Sequence, residues 1–434
     1  MRALDSSRFR FGMLTLGLLT VLAGDIWRYS ITWFGFGVIV LAVSVFSVML
    51  LVRNRSDWRI GTLPYPLLAF LAVTTVSILW SYYPSATAVG LVANWLTVLS
   101  GVAFAVSFDW STLLRSLGLA LRILLGGSLL FELVVSVFVR QPLLPFWYSY
   151  ESGKLPMSLY WSRDLLFEGG KIQGLPGNSA LLGFLALLGL IVFGVQLASS
   201  RRRRALGAFW MLVAATCVYL TRSATITIAI VAVVVVVLAV AAFRFASSGR
   251  TRGVLYAVLA VVVAALVVAG TAFRSQLLAL MGKGDTLTGR TDIWASVTEL
   301  AQQRPVFGWG WVSYWAPWVE PFDDLAFEGG VHQYQAHNAW LDLWLQIGIV
   351  GVVVFAALFV SSVVRSWFFA TDRPQFEPGT QRPFSAVSIL PLLILTALAV
   401  QSLVESRLII EYGLVLLVVI AVKTKRGDPV ERLR

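Results

Sequence analysis

Three ionisable residues stand at points of this sequence where a charge could do chemistry. Arg222 lies in the motif TRSAT between two apolar runs, and Arg290 follows a glycine in the motif TLTGRTDIW. His337 lies in AHNAWLDLWLQIGIVG, at the start of another apolar run. Guanidinium groups donate paired hydrogen bonds to phosphate oxygens, and a neutral imidazole accepts a proton from an attacking hydroxyl group. These residue types predict an anion-binding site with a general base.

Each of these residues also has a plainer interpretation. Arg222 alone suits an interfacial anchor that reaches the lipid headgroups, although a charge at a membrane boundary is also a candidate functional residue. Arg290 is equally suited to a loop ion pair with Asp292 or another carboxylate. A lone histidine is more often structural, but the chain has only His332 and His337, both in the same loop. We interpret His332 as loop structure.

Four further residues are expected to contact substrate: Asn338, Asn178, Glu405 and Trp294. Asn178 follows a Pro-Gly pair, so it also suits the N-cap of the next helix. Glu405 lies in a short turn beside Arg407 and is a possible partner that holds an arginine or the histidine in place. The chain contains no HExxH motif, no cysteine pair and no Asp-X-Asp. We therefore expect neither a metal nor a cofactor.

The composition predicts the elements that must position these residues. Of 434 residues, 58% are hydrophobic and only 13% are charged, and the mean hydropathy is +0.81. These values are typical of a polytopic membrane protein. A net charge of +12 would suggest a nucleic-acid partner in a soluble protein. Here the basic residues follow the membrane topology, so we expect no nucleic acid.

Runs of about 20 apolar residues can cross a bilayer as helices. Twelve such runs are present, at about 11–28, 31–52, 63–81, 86–107, 116–139, 179–198, 205–221, 223–243, 253–272, 340–364, 385–403 and 407–422. The predicted class is an all-α, polytopic membrane protein, with 1–434 forming a single integral membrane domain. Two long loops, 140–178 and 273–339, interrupt the runs.

The basic residues predict the orientation of the chain. Short connections on one side of the predicted helices carry groups such as Arg53, Arg55 and Arg59, whereas the two long loops carry few for their length. The positive-inside rule therefore places both termini inside and both long loops outside. The second long loop is predicted to carry the site.

Residues 288–303 within this loop are predicted to form an amphipathic helix. Its apolar face combines Ile293, Trp294, Val297 and neighbouring residues. We expect this helix to lie on the membrane surface. The long loops are also rich in Trp and Tyr, which suit an interfacial aromatic belt for most of them and stacking on sugar rings for a minority.

Several motifs occur in a fixed order over about residues 170–405. They are Gly177-Asn178, Arg222-Ser223, Thr288-Gly289-Arg290 with Trp294, Gly308-Trp309-Gly310, and AHN-x-x-L-D followed by Gly348 and Gly351. This arrangement resembles the O-antigen ligase and O-antigen polymerase superfamily of bacterial envelope enzymes. The resemblance is strongest over 286–351, and the first five predicted spans match by topology only.

The resemblance implies a metal-independent, inverting glycosyltransferase in the bacterial plasma (inner) membrane, with its active site facing the periplasm or cell exterior. The implied donor is a glycan on undecaprenyl pyrophosphate, and the implied acceptor is a lipid-linked or cell-surface sugar. Membrane lipids are the other expected partners. Arg222 and Arg290 correspond to the family's two essential arginines, which would stabilise the leaving pyrophosphate. His337 corresponds to its essential histidine, which would orient or deprotonate the acceptor hydroxyl.

Three alternatives remain open from the sequence. The motifs belong to chemistry shared by ligases and polymerases, so they do not separate the two. A twelve-helix polysaccharide or lipid transporter is less well supported, since no internal repeat is visible. A polyprenyl-phosphate-sugar transferase would need an acidic catalytic residue in the first outer loop, where only Asp25 stands without a partner.

Overall fold

The computed structural model describes residues 2–148, 155–199, 204–246, 248–272, 288–328, 331–372, 375–377, 380–381 and 384–427. Within them the chain is mostly helical and has almost no strand, which confirms the predicted all-α class. Residues 149–154 of the first long loop, and 273–287 and 329–330 of the second, lie outside the described residues.

Twelve helices overlap the twelve predicted runs, although the first connection lies at Ala23 rather than at 28–31. They are α1 (Ser7–Leu22), α2 (Gly24–Arg53), α3 (Tyr65–Val76), α4 (Pro84–Ser107), α5 (Trp110–Val134), α6 (Ser179–Ser199), α7 (Arg204–Thr221), α8 (Ala224–Phe245), α9 (Gly249–Ala272), α11 (Ala339–Thr371), α12 (Leu390–Ser402) and α13 (Glu411–Arg426). The remaining helix, α10 (Thr288–Gln303), is the amphipathic helix predicted in the second long loop.

Seven of these helices, within the described ranges, are long and apolar enough to cross a membrane. They are α2, α4, α5 with its π-helical extension to Val139, α6, α7, α8 and α11. Two shorter apolar helices lie at Tyr65–Leu79 and Val387–Ser402. The chain is therefore a multi-pass membrane protein.

Helix α13 lies at the centre of the packed helices. Its residues from Tyr412 to Lys423 are all buried. A glycine in α4, Gly101, lets this helix approach closely, because a Cβ atom there would lie 2.8 Å from the Val418 side chain. Small residues permit this kind of close contact between membrane helices. The first residues of α13 and the turn before it are thereby fixed relative to the rest of the bundle.

Helix α11 is broken near its start. Ile347 and Gly348 have non-helical backbone angles, and the φ of Gly348 is 65°. A Cβ atom at Gly348 would lie 2.1 Å from the Val306 carbonyl oxygen, so only glycine fits. The break separates a short first half, which begins after Asn338, from the long second half.

The FGWGW segment fills this break. The backbone N–H groups of Trp309 and Gly310 donate to the carbonyls of Leu345 and Gln346 at 2.9 and 2.8 Å. On the other side of the break, the Ile349 N–H donates to the Pro305 carbonyl at 2.9 Å. Broken helices expose unpaired backbone groups at membrane depth, which must find partners in the protein. The glycines of FGWGW therefore hold the second loop against the start of α11.

Helix α10 differs from its predicted position. Its apolar residues Ile293, Val297 and Leu300 are buried in a small core formed with the second long loop and the start of α11. Trp309, Trp315 and other aromatic residues of the loop cover this face. The helix is thus packed on protein rather than laid on the membrane surface with its apolar face down, since the loop supplies enough aromatic surface to bury that face.

Two short antiparallel hairpins complete the described fold. Strands β1 (Phe327–Glu328) and β2 (Val331–His332) pair within the second long loop. Strands β3 (Gln375–Glu377) and β4 (Thr380–Gln381) pair after α11. His332 lies in β2 with its ring centroid 5.1 Å from that of Phe327.

Candidate active site

Arg290, Glu405 and His337 come together from three distant parts of the chain, and we call them the site cluster. The Arg290 Nη2 lies 2.7 Å from the Glu405 Oε1, and the His337 Nδ1 lies 3.1 Å from the Glu405 Oε2. Their side chains are 14%, 12% and 17% exposed, respectively. One carboxylate therefore holds both an arginine and a histidine in a largely buried place.

The contacts of His337 define which ring nitrogen is available for proton transfer. An ionised carboxylate only accepts hydrogen bonds, so Nδ1 carries a proton and donates to Glu405. The other nitrogen, Nε2, lies 3.1 Å from the side-chain oxygen of Gln333. A Gln333 amide in this orientation accepts from a protonated ring, and the same amide turned over donates to a neutral ring. Gln333 can thus partner either charge state of the histidine.

Gln335 adds a further polar group beside the histidine. Its Nε2 donates to the Glu405 Oε2 at 3.4 Å. Its Oε1 is buried and has no hydrogen-bond partner among the described residues. Buried acceptors in native proteins usually have a donor. This oxygen therefore offers a place for a hydroxyl group of a ligand.

Asp342 fixes the backbone on both sides of the cluster. Its Oδ2 accepts from the Ala336 N–H at 3.0 Å and from the Ser406 hydroxyl. Its Oδ1 accepts from the Trp315 Nε1 at 2.8 Å. Ala336 directly precedes the histidine and Ser406 directly follows the glutamate. This aspartate is the last residue of the AHN-x-x-L-D motif, and a carboxylate in an apolar run is itself a signal of a special role.

Two of the residues expected to contact substrate also hold the loop in place within the described structure. Asn338 is the N-cap of α11, and its Oδ1 accepts from the N–H groups of Trp340 and Leu341 at 3.0 and 3.2 Å. Its Nδ2 donates to the Leu403 carbonyl at 3.2 Å. Trp294 donates its indole N–H to the Ala336 carbonyl at 2.9 Å. Both side chains hold segments that carry the site cluster.

Asn178 lies elsewhere in the described structure. Its Oδ1 accepts from the N–H groups of Ala180 and Leu181 at 2.9 and 3.1 Å, which makes it the N-cap of α6. No hydrogen bond links its side chain to the site cluster within the described residues. The simpler interpretation of this residue accounts for the contacts that it makes.

Arg222 occupies the turn between α7 and α8 with a φ of 47°. Its side chain is exposed and, among the described residues, makes no hydrogen bond or ion pair with the site cluster. A Cβ atom on Gly169 would lie 3.4 Å from its Nη2, so the first long loop passes beside it. The structure therefore unites Arg290, His337 and Glu405 and leaves the Arg222 guanidinium without a described partner.

The charges of the cluster keep Glu405 ionised. Burial alone would raise the pKa of this carboxyl group, but the adjacent His337, Arg290 and Arg407 lower it to about 2. An opposite charge within a few ångströms stabilises the ionised form of a carboxyl group. The cluster thus combines one permanent negative charge with a guanidinium and a titratable imidazole.

A second set of charged residues lies on the other side of the α12–α13 turn, and we call it the hairpin network. It consists of Asp25, Arg28, Glu411, Arg407 and Tyr314. The Arg28 Nη2 lies 2.9 Å from the Asp25 Oδ1 and 3.2 Å from the Glu411 Oε1. Arg407 bonds to both Glu411 and the Tyr314 hydroxyl. This network joins the α1–α2 hairpin to the start of α13 and to the second long loop.

Two comparisons with known proteins find similarity over part of the chain. A family model described as O-antigen ligase matches residues 208–356. The exopolysaccharide production protein ExoQ of Rhizobium meliloti (strain 1021) is 28% identical over 89 residues, which is 20% of this chain and 20% of that protein. Residues 208–356 of the chain are thus similar to O-antigen ligase, as the sequence motifs predicted. The match with this curated relative spans only about a fifth of the relative's length.

The superfamily match contains two members of the site cluster but not the third. Arg222, Arg290 and His337 all lie within the matched residues, whereas Glu405 lies beyond them. Glu405 reaches the cluster because the turn between α12 and α13 packs against the start of α11. The carboxylate that joins the arginine to the histidine thus comes from outside the matched part of the chain.

Proposed function

We propose that this protein is a metal-independent, inverting glycosyltransferase on the outer face of the bacterial plasma membrane. Its donor is a glycan on undecaprenyl pyrophosphate, and its acceptor is a lipid-linked or cell-surface sugar. The observation that carries this proposal is the contact of Arg290 and His337 with one carboxylate, Glu405. This contact brings an anion-binding group and a proton acceptor into one small site.

The proposed reaction assigns a separate task to each group. The acceptor hydroxyl oxygen attacks the anomeric carbon of the donor, and the bond from that carbon to the pyrophosphate oxygen breaks with inversion. The acceptor hydroxyl replaces the Gln333 side chain at the Nε2 of His337 and gives its proton to that nitrogen, while Nδ1 remains hydrogen-bonded to Glu405. The bonding electrons leave with the polyprenyl pyrophosphate, and Arg290 stabilises the resulting negative charge.

Glu405 has two roles in this proposal. It orients the imidazole through Nδ1 and holds Arg290 in place before the donor binds. A pyrophosphate carries more negative charge than one carboxylate, so the donor competes with Glu405 for the guanidinium. The buried oxygen of Gln335 then accepts a hydrogen bond from the acceptor sugar, which places that sugar next to His337.

Arg222 supplies the second guanidinium in the proposal. Its side chain is exposed beside the first long loop and has no described ion-pair partner. A guanidinium without a protein carboxylate remains available for the second phosphate of the donor. Arg222→Lys keeps the charge but loses the paired hydrogen bonds, so we expect the donor KM to rise more than the acceptor KM.

The direct test uses purified protein in nanodiscs with a polyprenyl-pyrophosphate-linked glycan and a sugar acceptor. We expect stoichiometric formation of glycosylated acceptor and free polyprenyl pyrophosphate, with the new bond inverted at the anomeric carbon. Glu405→Gln is the informative variant, because it keeps the shape of the site and removes the charge that orients His337. Wild-type turnover in Glu405→Gln would exclude the proposed role of this carboxylate.

Thiol labelling in whole cells tests which side of the membrane the two long loops face. Phe167 and Trp318 of the two long loops are 68% and 78% exposed, and Phe245 at the end of α8 is 88% exposed. The native Cys217 is buried, so it gives little background. We expect an impermeant thiol reagent to label Phe167→Cys and Trp318→Cys but not Phe245→Cys. The reverse pattern would place the site on the inner face and contradict the proposal.

Polymerisation is the second candidate function, and the match to an exopolysaccharide production protein favours it. A polymerase uses one lipid-linked glycan as donor and a second as acceptor. Incubation with the donor alone separates the two candidates. A ladder of lengthening chains on the lipid carrier indicates a polymerase, whereas a product formed only when a different acceptor is added indicates a ligase.

A further inference from the structure

A cavity of about 530 Å³ opens between the first turns of α1 and α5. It is lined by Ser7, Arg8, Arg10, Phe11, Ser107, Phe108, Asp109, Thr112 and Arg115. Three arginines therefore face one carboxylate. The hydroxyl groups of Ser7, Ser107 and Thr112 add polar groups of the kind that bind phosphate oxygens.

The single carboxylate that lines this cavity, that of Asp109, already accepts hydrogen bonds from the protein. The Asp109 Oδ1 accepts from the Thr112 N–H at 2.6 Å and from the Ser111 hydroxyl at 3.2 Å, so it caps α5. By contrast, the Arg8 and Arg10 side chains make no hydrogen bond or ion pair with the described residues. The Nε of Arg10 is buried and has no acceptor among them. An unpaired guanidinium nitrogen in a buried place lacks the partner that it normally has.

Other basic residues at the same end of the bundle do have protein partners. Each of four side chains bonds to a backbone carbonyl near the end of a helix or in a connecting loop: Arg244 to Ala370, Arg252 to Thr371, Lys423 to Phe108 and Lys425 to Leu63. These four basic side chains therefore have a structural role, because they bind carbonyl groups that would otherwise lack a donor. Arg8 and Arg10 differ from them because they face the cavity instead.

The cavity lies far from the site cluster. Helix α1 begins at the cavity and runs for 16 residues towards Asp25 and Arg28 of the hairpin network, which adjoins the cluster. A helix of this length spans about 24 Å. The cavity therefore faces the leaflet opposite to the site cluster. Phe9, which is 42% exposed, stands beside it on the outer surface of α1 and offers an apolar contact for an acyl chain.

We propose that this cavity binds the phosphate group of an anionic phospholipid in that opposite leaflet. Arg8 and Arg10 donate to the phosphate oxygens, and Arg115 adds a third positive charge from α5. The bound lipid connects α1 with α5, which already touch through the Thr15 and Ser116 hydroxyls 2.7 Å apart. The lipid is therefore expected to stabilise the packing of these two helices as well as to occupy the cavity.

The test measures binding of a fluorescent phosphatidylglycerol to purified full-length protein in neutral detergent. The double variant Arg8→Gln/Arg10→Gln is compared with the matched control Arg55→Gln/Arg59→Gln, which removes two exposed arginines that do not line the cavity. We expect the cavity variant to bind about tenfold more weakly, which corresponds to about 1.4 kcal/mol. The control should change affinity by less than about twofold.

Competition identifies the source of the phosphate. Unlabelled phosphatidylglycerol should displace the probe, whereas phosphatidylcholine and inorganic phosphate should not. Displacement by inorganic phosphate at similar concentration would mean that the site takes free phosphate rather than lipid. Equal losses in both double variants would mean general surface attraction and would overturn the cavity site. Arg8 is exposed, so Arg8→Gln alone keeps the test decisive if the double variant does not fold.

Discussion

Two groups of charges meet at the turn between α12 and α13, and they differ in how their charges are balanced. In the hairpin network, Arg28 and Arg407 face the two carboxylates of Asp25 and Glu411. In the site cluster, one carboxylate is shared by an arginine and a histidine. A network with equal numbers of opposite charges has no net charge to attract an ionic ligand, whereas the cluster can exchange a protein carboxylate for a substrate anion. The comparison therefore separates charges that hold helices together from charges that bind.

The largest effect is expected from removing the arginine or the histidine of the site cluster. Arg290→Ala and His337→Ala should each lower the transfer rate by about 100- to 1000-fold, because one donor to a developing negative charge or the proton acceptor is lost. Initial rates with saturating donor and acceptor measure this. Both variants should remain folded and inserted in the membrane, which a thermal unfolding measurement checks. Near-normal turnover of Arg290→Ala would show that the cluster does not hold the pyrophosphate.

Substitutions in the hairpin network should lower the stability of the protein rather than its transfer rate. Arg28→Gln leaves Asp25 and part of Glu411 without a partner in a nearly buried place, which is expected to lower stability by about 3 kcal/mol. Unfolding followed by intrinsic fluorescence in detergent measures the loss. The control is Arg53→Gln, which breaks a solvent-exposed ion pair with Asp5. Its free energy of unfolding should fall by less than about 1 kcal/mol. A stable Arg28→Gln protein with strongly reduced turnover would show that this network contributes to catalysis.

A smaller effect is expected from the aspartate that joins the two regions. Asp342→Asn keeps the size of the side chain but removes the charge that accepts from Ala336, Ser406 and Trp315. We expect kcat to fall about tenfold, because His337 and Glu405 lose their fixed positions, while the donor KM changes little. Asp342→Glu serves as the comparison that keeps the charge. A purely structural role would instead lower the folded fraction and leave the kcat of the folded protein unchanged.

Much of this architecture follows from hydropathy. The helix α6, for instance, was predicted at 179–198 and is observed at Ser179–Ser199, because a lipid environment requires a continuous apolar helix. The contact of a glutamate with an arginine or the histidine was also expected from the position of Glu405 in its turn. The sequence did not indicate which of the two it would hold, and the structure shows both.

Other features depend on contacts that no local pattern reveals. The FGWGW glycines fit against α11 because Gly308 would place a Cβ atom 2.5 Å from the backbone of Gln346, and this requires knowledge of both segments. The pairing of Arg28 with Glu411 joins residues 383 positions apart. The expectation that the apolar face of α10 contacts lipid was wrong, because that face has two possible partners, lipid and loop, and hydropathy does not distinguish them.

The pH dependence can distinguish the two titratable members of the cluster. The pKa of Glu405, at about 2, lies below its ordinary value of 4.5. Its ionised form therefore stabilises the folded state above pH 4.5, and this stabilisation is lost as the pH falls towards 2. Above pH 4.5 Glu405 keeps one charge, so we assign any pH dependence of the rate there to a group other than Glu405, with His337 as the candidate. A rate profile measured for the wild type and for His337→Gln tests this assignment. An unchanged profile would leave the arginines in place and reduce the histidine to positioning.

Removing divalent metal ions is expected to leave the transfer rate unchanged, which is the smallest of these effects. Transferases that use phosphate-linked sugar donors often neutralise the leaving group with a cation held by clustered carboxylates. In this proposal Arg290 and Arg222 supply that positive charge, and they would repel an added cation at the same place. The rate in excess EDTA should therefore equal the rate in buffer containing magnesium, measured on the same preparation with product formation as the readout. Arg290→Ala provides the sharper comparison, because a site that has lost one guanidinium should gain more from added magnesium than the wild type does. Complete loss of wild-type activity in EDTA, with recovery on adding magnesium or manganese, would mean that a metal rather than the arginines stabilises the leaving pyrophosphate.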